Sequence, residues 1–330
     1  MATTSTKHLI DPELIPLLDM LPPLNPTRES LPHIRAIFKE MAAQMLAALP
    51  ESPDISVSEH HIPGPQGEPD VRVLVYLPKN ASTPTPALLW MHGGGYLWDN
   101  ADRAYPLVKG LIAATGCAAV AVDYRLAPET SHPGPVEDCY AALKWLYTHA
   151  EKLSVDASRI AIGGESSGAG LAATLALLTR DRGEVPLIFQ LLMYPMLDDR
   201  TATATDHHPY TGEYIWTAES NRFAWTALLG EEPGGANISP YAAPARAERL
   251  EGLPPAFIGV GTLDLFLEED LEYARRLTRA GVPAELHVYP GAFHVFNIAE
   301  NARVAQAFTR DSLNALTRAF TRNGGREGIS

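Results

Sequence analysis

The sequence predicts an α/β fold: a mostly parallel central sheet with helices on both faces and a helical cap. Two observations predict it. From about residue 54 onward, short apolar runs alternate with amphipathic stretches, the pattern of strands joined by crossover helices. Residues 1–50 and a stretch near 198–245 break that alternation and are expected to cover one rim of the sheet. The expected division is a helical cap over 1–50 and a catalytic domain over 51–330 that carries the second cap piece as an insertion.

In residues 1–50, Pro12, Pro22, Pro23 and Pro26 punctuate the chain, and Ile34, Phe38, Met41, Met45 and Leu49 then recur at helical spacing. An amphipathic helix must lay its apolar side on something, and the remainder of this chain is the available surface. SVSEHHIP and VRVLVYLP read as a strand pair around the turn GPQGEPD. ALLWMH is a short strand ending in glycines, residues 104–115 a helix, and AAVAVDY a buried strand. The helix VEDCYAALKWLYTHA, the strand RIAIGGE, the helix LAATLALLTR and the strand LIFQLLMYP follow. After the irregular insertion, which holds DHHPYTGEYIW and a helix-like SNRFAWTALLG, come the strand AFIGVG, the helix LEEDLEYARRLTRA, the strand AELHVYP and a last helix to about Phe320. Right-handed crossovers are expected between parallel strands.

Composition removes several functions. The chain has 330 residues, 46% hydrophobic and 20% charged, enough to bury a substantial core. Its formal net charge of −13 opposes a phosphate backbone and, more weakly, an anionic membrane surface. Only Cys117 and Cys139 are present, too few for a disulfide framework or a thiolate zinc site, so both are expected as reduced, buried thiols. The opening MATTSTKHLIDPEL has no apolar leader core, and no apolar run approaches the length of a membrane span. A cytoplasmic protein is expected.

Three segments carry chemistry. GESSG, Gly164 to Gly168, fits G-x-S-x-G with Ser166 at its centre. Composition alone gives roughly 0.09 such matches in a chain like this, so its setting matters more than the pattern. A strand runs into it and a helix runs out, the strand-turn-helix of a nucleophile elbow. The competing reading, a phosphate-binding turn, fits neither G-x-G-x-x-G nor a P-loop spacing. HGGG, His92 to Gly95, follows a strand, and chance supplies only roughly 0.005 such matches. Acyl transfer needs N–H donors aimed where a carbonyl oxygen becomes an anion, and consecutive glycines clear the approach. The N–H groups of Gly93, Gly94 and Ser167 are the expected oxyanion hole. His92 itself is expected to tie the loop down.

An acid and then a histidine should follow the serine in chain order. Asp264, past AFIGV, and His294, past AELHVY, both lie at carboxyl ends of strands, where open α/β sheets bind ligands. Asp198 and Asp199 also follow a strand and remain alternatives for the acid. His287 sits inside a strand as a structural histidine. His207 and His208 fall in the insertion and read as surface. Glu269 and Asp270 open a helix, where acids favour the N-terminus.

With these residues in hand, the sequence resembles the hormone-sensitive lipase-like family of α/β-hydrolases, which includes the bacterial family IV carboxylesterases. HGGGY (His92 to Tyr96), DYRLAPE (Asp123 to Glu129), GESSGAG (Gly164 to Gly170), YPMLDDR (Tyr194 to Arg200) and YPGAFHVF (Tyr289 to Phe296) stand in the family's order across nearly the whole chain. The chain departs from the commoner GDSAG at Glu165 and Ser167, and from FHGF at Val295; neither change removes a catalytic group. The resemblance implies an α/β-hydrolase sheet with a cap, and a structural role for Arg125 and Glu129 beside the site.

A closed apolar pocket behind the cap suits short or medium acyl chains better than long ones, so hydrolysis of short- to medium-chain carboxylic esters through an acyl-enzyme on Ser166 is expected. His294 is then the base, Asp264 orients it, and no metal or organic cofactor is required. Phe38, Tyr96, Trp98, Ile215, Trp216 and Val295 are the expected pocket wall. The implied partner is a small-molecule ester, with pairing into a homodimer through the terminal strand and helix. A lactonase or an amide hydrolase with the same triad stays open. So does a non-catalytic receptor on this scaffold, as in the resembling plant gibberellin receptors, although those lack the histidine that His294 supplies here.

Overall fold

Eight strands build one sheet, and its register follows from where the apolar runs fall. In the computed structural model, which describes residues 5–21, 24–48, 53–81, 83–205 and 208–322, β1 (Ile55–Ile62) pairs antiparallel with β2 (Val71–Pro78). Pro22, Pro23, Leu49 and His207, named above, lie outside the described residues. β2 pairs antiparallel with β4 (Ala118–Asp123), whose other neighbour is the parallel β3 (Thr85–Met91). β5 (Val155–Glu165), β6 (Phe189–Met193), β7 (Ala256–Gly261) and β8 (Ala284–Tyr289) continue in parallel. The resulting order is β1-β2-β4-β3-β5-β6-β7-β8. From β3 the chain steps to β4 on one side and then to β5 on the other, and ligand sites in such sheets form at the carboxyl edge near that reversal.

Alternate residues of the central strands enter two separate apolar layers, as the period of two demands. Val75, Leu89, Val120, Ile162, Leu192 and Ile258 face one layer. It is closed by α4 (Gly134–Thr148), α5 (Ser167–Arg182) and α7 (Leu267–Arg279). Tyr76, Leu88, Trp90, Ala119, Leu191 and Phe257 face the other, closed by α3 (Tyr105–Thr115) and α8 (Arg303–Arg322). β3, β6 and β7 are buried along their whole length, which is why they read as unbroken apolar runs. Cys117 and Cys139 are free and buried in these layers.

The two stretches that break the alternation fold as short helical pieces. The first holds α1 (Ile15–Met20) and α2 (Leu31–Ala48); the second holds α6 (Ala218–Leu229). They bond to each other: the Ser220 hydroxyl donates to the Leu24 carbonyl at 2.9 Å, and the Thr6 N–H donates to Glu213 at 2.7 Å.

Most element boundaries fall within a few residues of the expected ones; β5 starts earlier, at Val155, and α5 begins at Ser167 itself. Glu269 and Asp270 lie in the first turn of α7, as expected. They are also buried, because the start of α7 is covered by the segment after β6. Glu269 accepts from the N–H groups of Leu197 and Asp198 and from the Thr201 hydroxyl, and burial pushes its pKa well up. Neither carboxyl oxygen of Asp270 has a partner among the described residues, and burial, with Glu269 and Asp264 near, likewise pushes its pKa up.

Candidate active site

Four strand ends deliver the site residues to one edge. β5 runs directly into Ser166, which starts α5 and adopts φ 54° and ψ −122°. A non-glycine residue at positive φ is strained and persists only where its surroundings fix it. Here the Ser166 N–H donates to the Met193 carbonyl at 2.9 Å, and the Ser166 carbonyl accepts from the N–H groups of Gly170 and Met196. The turn closes because two positions lack a side chain. A Cβ on Gly168 would stand 2.2 Å from the His92 carbonyl oxygen, and one on Gly164 would stand 2.4 Å from the Gly168 carbonyl.

His294 follows β8 and Asp264 follows β7. The His294 Nε2 lies 2.9 Å from Ser166 Oγ, and its Nδ1 lies 2.8 Å from Asp264 Oδ2. The other carboxylate oxygen of Asp264 accepts the Phe266 N–H at 3.0 Å, which fixes the carboxylate plane. All three side chains are nearly inaccessible to solvent. Exclusion of water strengthens each of these hydrogen bonds. The edges of Tyr194 and Phe266 abut the imidazole at 5.0 and 5.1 Å between centroids, so the ring cannot tilt away. The Tyr194 hydroxyl donates to Asn297 Oδ1 at 2.8 Å, tying the loop that carries His294 to the end of β6.

The glycine loop after β3 lies against the elbow: a Cβ on Gly93 would stand 3.5 Å from that of Ser166. Among the described residues the N–H groups of Gly93 and Gly94 donate to no protein acceptor. Gly94 has φ 98°, and a Cβ there would stand 2.2 Å from the Trp98 carbonyl oxygen, so only glycine fits. His92 is buried and stacked on Tyr124 at 4.2 Å, and its Nδ1 lies 2.8 Å from the Gly93 carbonyl. Burial pushes its pKa down and keeps it neutral, as a residue that ties down the loop requires.

The alternatives for the acid and the histidine are committed elsewhere. Asp198 pairs with Arg200 at 2.6 Å and Asp199 with Arg246 at 2.7 Å. His287 pairs with Glu285 at 2.9 Å, and the His208 ring lies beside Tyr210.

Of the expected wall residues, Phe38, Trp98 and Trp216 form one aromatic line that ends on His294. Phe38 stacks on Trp98 at 5.6 Å, Trp98 meets Trp216 at 5.9 Å, and Trp216 lies 6.3 Å from the His294 ring. The Trp216 N–H donates to Asn221 on α6, which holds the indole in place. Tyr96 does not join this line; its ring packs against Trp225 of α6 beneath the loop. Ile215 and Val295 pack partly buried in the layer with α3 and α8, both at positive φ. A cleft of about 800 Å³ lined by Arg180, Arg246 and Arg276 contains none of the triad residues. Its guanidinium groups are occupied by Asp181, Asp199 and backbone carbonyls.

Sequence reasoning missed Tyr194, Asn297, Phe266 and Arg35. The first three lie within or near motifs already singled out, but nothing in their spacing says that Tyr194 and Phe266 touch His294 or that Asn297 holds Tyr194. Arg35 carried one signal, a cation on a helix beside its apolar positions.

The family model described as the alpha/beta hydrolase fold matches residues 88–298, a span that holds the glycine loop and all three triad positions. The chain belongs to the hormone-sensitive lipase-like family of α/β-hydrolases. This hydrolase is 35% identical to carboxylesterase NlhH of Mycobacterium tuberculosis over 94% of its own length and 96% of that protein's. Among solved structures, a bacterial heroin esterase superposes with a TM-score of 0.90 at 40% identity, covering 96% of this chain and 99% of the other. Esterase LipW from Mycobacterium marinum superposes with a TM-score of 0.81 at 34% identity, covering 96% and 97%. No described helix is long and apolar enough to cross a membrane.

Proposed function

We propose that this hydrolase is a serine carboxylesterase acting on small-molecule esters of short- to medium-chain acids. The observation that carries the reading is the hydrogen-bonded line Asp264–His294–Ser166, with contacts of 2.8 and 2.9 Å, beside a glycine loop with free N–H groups. His294 takes the Ser166 proton as Oγ attacks the ester carbonyl, and Asp264 stabilises the imidazolium. The N–H groups of Gly93, Gly94 and Ser167 receive the oxyanion. His294 protonates the departing alcohol, then deprotonates a water that clears the acyl-enzyme. No cofactor enters these steps.

Residues 1–50 and the insertion near 198–245 act as the cap. Phe38 from the first piece and Trp216 from the second supply aromatic walls near His294, and such a wall favours small acyl groups over long ones. Trp98, Ile215 and Val295 complete the set of residues we assign to the pocket, and Tyr96 supports the loop from beneath. Two buried thiols fit a reducing compartment, so the cytoplasm is the proposed location, with a homodimer as the proposed assembly. Light scattering on the purified protein decides the latter.

Purified protein is tested on nitrophenyl esters from acetate to palmitate, with a lactone and an anilide alongside, and by fluorophosphonate labelling. Rates are expected to fall beyond medium chain length, and labelling to vanish in Ser166→Ala. Rates that rise toward palmitate would overturn the chain-length preference. Labelling that survives Ser166→Ala would remove Ser166 from its role. Faster turnover of the lactone or anilide would replace the ester assignment.

A further inference from the structure

Arg35 stands on α2, in the cap, yet its guanidinium reaches the loop that follows β3. Its Nε donates to the Leu97 carbonyl at 2.7 Å, and one Nη donates to the Ala127 carbonyl at 2.8 Å. Glu129 holds the outer face of the same group in a two-point pair, at 2.8 and 2.7 Å. The two backbone segments so bridged are already joined, because the Ala127 N–H donates to the Tyr96 carbonyl at 2.9 Å. Leu97 also closes the turn of the glycine loop: its N–H donates to the Gly94 carbonyl at 2.9 Å, and the Trp98 N–H donates to the same oxygen. One helical turn beyond Arg35, Phe38 stacks on Trp98. One face of α2 therefore holds both residues that close the Gly94 turn.

We infer that Arg35 is a positioning residue for the oxyanion loop, so that docking of the N-terminal helix sets the direction of the Gly93 and Gly94 N–H groups. This rests on the esterase reading above. The physical reason is the fate of two carbonyls. Leu97 and Ala127 are both buried, and a buried carbonyl without a partner is costly enough that the backbone moves to find one. Any rotation of the Leu97 peptide is transmitted to Gly94 through the turn it closes. A planar fork can donate to two carbonyls and a carboxylate at once, which an ammonium on a flexible stem cannot do in the same geometry. Glu129 is largely exposed, so its charge contributes by aligning the fork more than by attraction.

A mere cap anchor and a loop-positioning residue differ in which kinetic constant they move. Oxyanion contacts act in the transition state whatever the acyl chain, whereas a displaced cap alters the pocket and therefore KM and chain preference. The test measures kcat and KM for nitrophenyl acetate and butyrate with the wild-type chain and with Arg35→Ala, Arg35→Lys and Glu129→Gln, alongside melting temperatures. Arg35→Ala is expected to lower kcat about 10- to 100-fold, equally for both esters, with KM little changed; complete loss of one oxyanion donor would cost about 100- to 1,000-fold. Arg35→Lys keeps the charge but not the fork and is expected to recover only part of the rate. Glu129→Gln leaves the two carbonyl bonds in place and is expected to lose less than Arg35→Ala. Millimolar methylguanidine added to Arg35→Ala is expected to restore part of kcat.

A folded Arg35→Ala with wild-type kcat overturns the inference, as does a loss confined to KM or growing with chain length. If Arg35→Ala does not fold, Arg35→Lys is read by the same criteria. A wild-type chain that neither hydrolyses the esters nor reacts with a fluorophosphonate would instead overturn the esterase reading, and the Arg35 role with it.

Discussion

The nucleophile elbow and the oxyanion loop touch each other, yet they are held in place by different means. The elbow is fixed within the alternating core. Gly164 and Gly168 allow the turn to close, and the Ser166 backbone bonds to Gly170, to Met193 at the end of β6 and to Met196 just beyond it. The loop from His92 to Trp98 is fixed from outside. Tyr124 donates to the His92 carbonyl at 2.8 Å, Ala127 to Tyr96, and Arg35 to Leu97, while the Trp216 ring fills the space beside Gly95. Two of those four supports come from the stretches outside the alternating core. The nucleophile's pose is thus set close by, inside the core, whereas the anion site also depends on the stretches outside it. Distant substitutions should therefore weaken transition-state stabilisation while leaving Ser166 in its turn.

The largest expected effects lie on the local side. Ser166→Ala is expected to lower kcat by about 10⁶-fold, the scale on which a serine triad fails without its nucleophile, with a residual rate from the anion site alone. Steady-state hydrolysis with active-site titration checks it. Asp264→Asn is expected to cost about 10⁴-fold, because an amide in that place lets His294 take the wrong tautomer. Rates measured with nitrophenyl acetate across neutral pH test this; a loss below about tenfold would mean that Tyr194 and Phe266 alone hold the imidazole, and that Asp264 is not the orienting acid.

A smaller effect tests the assembled side. Tyr124→Phe keeps the stack on His92 but removes the hydroxyl that bonds its carbonyl. One neutral hydrogen bond contributes about 1 kcal/mol, which corresponds to about a fivefold fall in kcat if all of it reaches the transition state. Combining it with Arg35→Ala gives the sharper reading. Losses that multiply mean that the two ends of the loop are held independently; losses less than multiplicative mean that either support alone lets the loop move. An unchanged kcat in Tyr124→Phe would show the loop to be locally fixed after all, and would break the comparison.

This contrast also explains what could be read from the chain alone. Ser166, Asp264 and His294 were legible because each is announced locally, by an apolar strand that ends a few residues before it. The strands themselves were legible for the same reason: β3, β6 and β7 are buried on both faces and appear as unbroken apolar runs. Tyr194, Asn297 and Arg35 were not, because each acts on a partner distant in sequence. Arg35 acts on Leu97, 62 residues away, and Tyr194 on Asn297, 103 residues away. For Glu269 and Asp270 the place in the first turn of a helix was legible, but their burial was not, because only the packing of the segment around Leu197 over α7 buries them.

The last predicted effect is on stability instead of rate, and it concerns what the assembled loop costs. Asp99 ends the oxyanion loop at φ 82°, with its carboxyl nearly inaccessible and Arg103 at 3.4 Å. Burial pushes its pKa up to about 7; the Arg103 charge opposes this, and Glu165 adds to it. The folded-state value therefore lies above that of an unfolded aspartate, about 3.9. The folded chain then binds the proton more tightly than the unfolded chain. The stability tied to that proton is fully present below about pH 4 and is lost as pH rises to about 7. Asp99→Asn cannot ionise, and asparagine accepts a positive φ as readily as aspartate. The melting temperature of this variant relative to wild type is expected to climb between pH 4 and pH 7 and to level off above that, when both are melted in parallel at matched ionic strength. A difference that falls over the same interval would mean that the pair with Arg103 outweighs desolvation, and that ionised Asp99 supports the loop instead of straining it.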